Sequence, residues 1–262
     1  MDSRYKQEVQ RYGKKDAIIA LCAFVVFCVL SVLDWVFSTH FDMQSAILPF
    51  FGRIIGIAII LVIIFVKKEG LSSIGFHTDK LKHTLGFTFI IVLAFVAFGI
   101  IPGLIYGWEL NNLGMLIPVL LTTLIMAAGE DIFFVGYLQP RLHGLIKNTV
   151  LAIFVGAVCF AIAHVPIGIL DYAFPMGWGA MWLVWMFGHT VMVLIFRRQF
   201  SIIPVITTHT LGNFFMGGSL WVEDVYDYDW SSAALILIFL VLMIYEIVNW
   251  RRRAKREAAH VR

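Results

Sequence analysis

The chain has 262 residues, of which 60% are hydrophobic and 14% charged, and its mean hydropathy is +0.87. That balance excludes an ordinary water-soluble domain, whose core could not hide so much apolar surface. The formal charge of +3, from 20 Lys and Arg against 17 Asp and Glu, is a weak surplus whose placement along the chain carries more information than its sum.

A basic segment over residues 1–16 leads directly into an apolar run at 17–37 without a signal-cleavage pattern, so the first helix is expected to stay in the mature protein. Further apolar runs follow at 46–66, 85–106, 113–135, 150–170, 180–196, 202–221 and 233–250. Each is close to the ~20 residues that a helix needs to cross ~30 Å of hydrocarbon. The expectation is an all-α, polytopic membrane protein with about eight transmembrane helices, folded as a single domain over 1–262, with a cytoplasmic N-terminus at 1–16 and a basic cytoplasmic tail at 251–262. A short interfacial helix is expected at 77–83.

The charges support that count of spans. The N-terminal segment, the connections at 67–83, 141–147 and 197–198 and the tail hold 19 of the 20 basic residues, whereas 38–45, 107–112, 171–179 and 222–232 hold none. The positive-inside rule then places both termini in the cytoplasm of a multi-pass plasma-membrane protein. The tail is expected to touch anionic lipid headgroups, not nucleic acid. The acidic, aromatic loop at 221–230 reads as an interfacial belt. Cys22, Cys28 and Cys159 all lie in apolar runs and read as packing residues.

Ionisable groups inside such runs usually face the bundle interior, because exposure to lipid is costly. The fourth run carries Glu130 and Asp131, the fifth His164, the sixth His189, the seventh Thr207, Thr208, His209 and Asn213, and the second Arg53. Residues four apart share a helix face, so Phe160 lies with His164 and His209 with Asn213. Counted from the ends of the spans at 1.5 Å per residue, Glu130 sits roughly 10 Å from the cytoplasmic end, His209 at a similar depth and His164 deeper, a gap that helix tilt would have to close. The depth of Glu130 implies a cytoplasm-facing entrance. A carboxylate, two imidazoles and an amide have the chemistry to activate water against a peptide carbonyl: the carboxylate takes the proton, while the histidines hold the water, stabilise the oxyanion or bind a divalent metal such as zinc. His189 reads as a packing histidine. Arg53 reads as a structural residue that snorkels or pairs with Asp34 or Glu109. The Gly-x-x-x-Gly patterns at Gly52 and Gly56 and at Gly99 and Gly103 permit close helix packing.

Three motifs in this order resemble the type II CAAX prenyl protease and bacteriocin-processing family, also called Abi or CPBP, of eight-helix intramembrane proteases. The family's Glu-Glu-x-x-x-Arg is matched by Glu130-Asp131-Ile132-Phe133-Phe134-Val135, its Phe-x-x-x-His by Phe160 to His164, and its His-x-x-x-Asn by His209 to Asn213. The compact chain and short loops are similar to the family's bacterial branch. The resemblance implies a site of Glu130, His164, His209 and Asn213, with Asp131 and Phe160 in secondary places and His164 and His209 as the histidines that would hold a metal. Two positions depart from the pattern: Asp131 shortens the second carboxylate, and Val135 removes the arginine.

The leading functional expectation is an endopeptidase that hydrolyses bonds of a membrane-associated peptide or protein by glutamate-activated water. A non-catalytic member of the fold, acting as scaffold, regulator or bacteriocin-immunity protein, is the alternative that Val135 motivates. A transporter is the third reading. Membrane lipids and a peptide or membrane-protein substrate are the expected partners, and no oligomeric partner is assigned.

Overall fold

A long apolar segment in lipid must close its backbone hydrogen bonds within itself, and this chain does so with helices throughout its described residues. The computed structural model describes residues 2–40, 51–77, 81–106, 113–165 and 177–216, with 240–241, 243–245, 247–248 and 251–252 near the C-terminus. Most of the expected span at 233–250, most of the outer loops and most of the basic tail lie outside the described residues. The helices are α1 (Ser3–Arg11), α2 (Lys14–His40), α3 (Phe51–Val66), α4 (Leu81–Phe95), α5 (Ile101–Tyr106), α6 (Leu113–Asp131), α7 (Gln139–Ile146), α8 (Thr149–Ala163), α9 (Gly177–Gln199) and α10 (Ile203–Met216). Among the described residues two segments, Lys14–Asp34 and Leu116–Ile146, are long and apolar enough to cross a membrane, and Phe51–Val66, Leu81–Phe95 and Thr149–Ala163 are shorter apolar helices.

One helix organises the rest. A π-helical stretch, Ile132–Leu138, joins α6 to α7 without a break, and every residue over 129–144 is buried. A helix buried on all sides is the core of a bundle. Helices α2, α3, α8, α9 and α10 pack around it, and α4 lies outside α10. Phe27, Phe133, Phe134 and Phe160 interlock at its centre; Phe27 stacks on Phe133 at 4.7 Å, and Phe134 meets Phe27 and Phe160 edge-on at 5.1 Å each. Aromatic pairs of this kind hold the helices in fixed rotation about their axes.

The helix continues past 135, the expected end of the fourth span, as far as Ile146. Gln139, Arg141 and His143 interrupt the apolar run in the sequence, but each is satisfied inside the protein. Gln139 donates to the Ala152 carbonyl at 3.0 Å, Arg141 pairs with Glu69, and His143 contacts the Tyr5 hydroxyl at 3.3 Å and Thr149 at 3.0 Å. Buried polar groups with partners do not end a helix. Measured along the helix, Glu130 is therefore roughly 24 Å from Ile146, and His164 roughly 22 Å from Thr149, the neighbouring end of α8. Along their helices the two residues thus lie at similar distances from the 146–149 turn.

The N-terminal segment forms a further helix that apolar runs did not signal. Asp2 caps α1 by accepting from the Arg4 amide at 2.8 Å, and Tyr5 is fully buried against His143, Phe196 and Phe200. Burial pushes the Tyr5 phenol well above its ordinary pKa, so it stays neutral. At the same basic end, the 3-10 turn Leu71–Ile74 buries Ile74 completely, and Gly75 accepts from the Ile202 amide at 3.1 Å. Of the interfacial helix expected at 77–83, residues 81–83 form the first turn of α4 and residues 78–80 lie outside the described ones. Gly52 and Gly56 let α3 approach α2 within the chain: an added Cβ would lie 3.1 Å from the Leu30 carbonyl at the first and 3.0 Å from the Phe27 ring at the second. Cys22, Cys28 and Cys159 are free thiols.

Candidate active site

The first side chain to place is Glu130, on the last turn of α6, where the helix is buried all round. Its side chain is 6% exposed, and its two oxygens face different partners. Arg53 of α3 donates to Oε1 from both Nε and Nη2, at 3.2 Å each. Oε2 faces the Nε2 atoms of His164 at 3.5 Å and His209 at 3.9 Å. Carboxylate and imidazoles thus converge from α6, the C-cap of α8 and α10.

Each imidazole is oriented by its other nitrogen. His164 Nδ1 lies 2.8 Å from the Phe160 carbonyl, and His209 Nδ1 lies 3.2 Å from Asp131 Oδ1. A carbonyl or carboxylate oxygen only accepts, so Nδ1–H is the donor in both contacts. With the rings neutral, both Nε2 atoms present lone pairs toward Glu130 Oε2, a set of three acceptors of which one water molecule satisfies two and which a cation complements. With the rings protonated, the same contacts are ion pairs. Asp131 therefore acts on His209 as an orienting carboxylate, and its 1% exposed side chain shows how firmly it is enclosed.

Phe160 spaces the cluster. Its ring lies 4.4 Å from that of His164, is stacked on His189 at 5.1 Å and is 6.3 Å from His209. Trp185 closes the other side of His164 at 5.2 Å. His189 is 1% exposed and contacts Gln139 at 3.4 Å, so it supports Phe160 from behind. Trp185 and His189 are four apart on α9 and share a face, a signal legible in the sequence only once α9 is known to pack on α8. Asn213, by contrast, is exposed, one turn beyond His209, and among the described residues its side chain makes no hydrogen bond.

Arg53 changes most relative to the sequence reading. It does pair with Asp34, Nη1 to Oδ2 at 3.9 Å, but its shorter contacts are with Glu130. Glu109, its other expected partner, lies outside the described residues. Gly129 permits the approach of α3 to α6, since an added Cβ there would lie 2.8 Å from Arg53 Cβ.

For a divalent ion, the two imidazole nitrogens are suitable donors with their Nδ1 protons engaged. Among the described residues no group of three or more His, Cys, Asp or Glu is assembled to hold one.

A search of curated proteins found no match to the chain. The segment 111–215, which carries Glu130, His164, His209 and Asn213, matches the family model described as type II CAAX prenyl endopeptidase Rce1-like. That match covers less than half of the 262 residues and is to the same family that the three motifs resemble.

Proposed function

We propose that the protein is an intramembrane endopeptidase that cleaves a membrane-associated peptide or protein with water activated by Glu130. The observation that carries this reading is the division of the Glu130 carboxylate, Oε1 held by Arg53 and Oε2 turned to two oriented imidazoles. Separations of 3.5 and 3.9 Å exceed direct hydrogen bonds and are short enough for one water to touch Oε2 and both Nε2 atoms. In the reaction Glu130 takes a proton from that water as its oxygen attacks the scissile carbonyl carbon. In their protonated form His164 and His209 keep Nδ1–H on Phe160 and Asp131 and donate Nε2–H to the water and then to the oxyanion that forms. Glu130 then returns the proton to the leaving amine as the C–N bond breaks. Asn213, exposed beside His209, is assigned the substrate side of the site.

The proposed topology has eight membrane-spanning helices with both termini in the cytoplasm of a plasma-membrane protein, on the strength of the one-sided distribution of Lys and Arg. A divalent metal such as zinc at His164 and His209 is an accessory part of the proposal; it would polarise the carbonyl as a Lewis acid.

The test is cleavage of a panel of labelled peptides and membrane-protein tails by purified protein in liposomes. Glu130→Gln and His209→Ala are expected to lower kcat per folded molecule by about 100- to 10,000-fold, with thermal unfolding measured beside it. Loss on chelation, with recovery on adding zinc, would support the metal. No turnover by well-folded wild-type protein would favour a scaffold, regulator or immunity role, for which Val135 speaks. Glu130-dependent uptake into vesicles would favour transport.

A further inference from the structure

We propose that Arg53 is a positioning residue of this site, the cation that fixes the Glu130 carboxylate and is supplied by α3 instead of by α6. The argument begins from what a glutamate lacks. Its terminal torsion is broad and roughly two-fold, so a lone Glu130 would present either oxygen to the imidazoles in a range of orientations. Two donors from one planar guanidinium on Oε1 remove that freedom and leave Oε2 facing His164 and His209.

Arg53 is itself held. Its side chain is 8% exposed, its stem lies against Gly129, and its far nitrogen faces Asp34. Asp34 in turn accepts from the Gly52 amide with both oxygens at 2.9 Å, which ties it to the first turn of α3. The chain from Gly52 through Asp34 and Arg53 to Glu130 is thus continuous and buried. Val135, which occupies the motif position of the arginine, is fully buried in the aromatic core and carries no charge to offer. Both Arg53 and Asp34 fall outside the matched segment 111–215, so a scan of motifs within that segment does not find them.

The kinetic consequence rests on the reading of Glu130 as the base, while the positioning itself does not. Three measurements are therefore made on full-length Arg53→Lys and Arg53→Met: thermal unfolding, kcat and KM for a labelled peptide, and labelling of Glu130 by a hydrophobic carbodiimide, read by mass spectrometry without substrate. A carboxylate engaged by a guanidinium is a poor carbodiimide target. Arg53→Met is expected to raise Glu130 labelling several-fold and lower kcat on the order of 100-fold with KM unchanged, as misplacement of a reacting group does. Arg53→Lys, which keeps the charge and loses the fork, is expected to fall between, with kcat about 10-fold down. Should the Met variant not fold, the Lys variant decides on the same readouts. Labelling and kcat equal to wild type would overturn the proposal. If the wild-type protein cleaves no peptide, the proteolysis reading fails by itself and the labelling still decides the role of Arg53.

Discussion

Two buried arginines, one at each level of the bundle, are used in opposite ways. Arg141, at the basic end, is fully enclosed: it pairs with Glu69, donates to the Tyr137 carbonyl at 2.8 Å, and lies over the rings of Tyr137 and Tyr12 at 3.7 and 4.3 Å. Glu69 also faces Lys67 at 3.5 Å, and Tyr12 is bonded to Glu8 of α1. Aromatic faces, carbonyl and carboxylate together make this layer a lock that joins α1, α7 and the 67–75 segment. Arg53, nearer the middle, engages one oxygen of Glu130 and leaves the other to histidines beyond hydrogen-bond distance. The difference teaches that a buried arginine can be surrounded by packing partners, as Arg141 is, or can hold one oxygen of a carboxylate and leave the other for the chemistry proposed at Glu130.

That comparison can be broken experimentally, most sharply at Arg141. Arg141→Met leaves Glu69 with Lys67 as its cation and is expected to destabilise the protein by about 3–5 kcal/mol, the cost of removing one partner of a buried pair. The kcat per folded molecule should not change. Denaturant unfolding in detergent beside single-turnover cleavage separates the two; an unchanged unfolding midpoint with a lower kcat would put Arg141 in the working site and end the contrast.

Asp131→Asn comes next in size. It removes the carboxylate that accepts from His209 Nδ1, so kcat should drop by about 10- to 100-fold, as for other partners that orient a functional histidine. Wild-type kcat in this variant would mean that a neutral amide acceptor orients His209 as well as the carboxylate does. The smallest effect on stability is expected for Asn213→Ala, because the side chain is exposed: the unfolding free energy should stay within about 0.5 kcal/mol. A fall in kcat at constant stability would support its substrate-side assignment, and wild-type kcat would remove it from the site.

Much of this was legible in one dimension. Apolar runs near 20 residues announce helices because the hydrocarbon thickness and the helix rise fix that length. Spacing by four placed Phe160 with His164, and the order of the three motifs gathered Glu130, His164 and His209 as candidates. The continuation of the helix to Ile146 was not legible, since Gln139, Arg141 and His143 interrupt the apolar run and only the structure shows Ala152, Glu69 and Tyr5 satisfying them. Helix α1 was hidden for a related reason: an amphipathic segment of nine residues has no apolar run to mark it.

By itself, then, the sequence determined an all-helical membrane chain and named the acid and the two imidazoles, because helix formation, lipid solvation and side-chain chemistry are local properties of a residue string. Only the tertiary structure decided which cation meets Glu130. Arg53 and Glu130 stand 77 residues apart; their pairing depends on α3 crossing α6 at Gly129, and a crossing is set by how two surfaces pack in three dimensions.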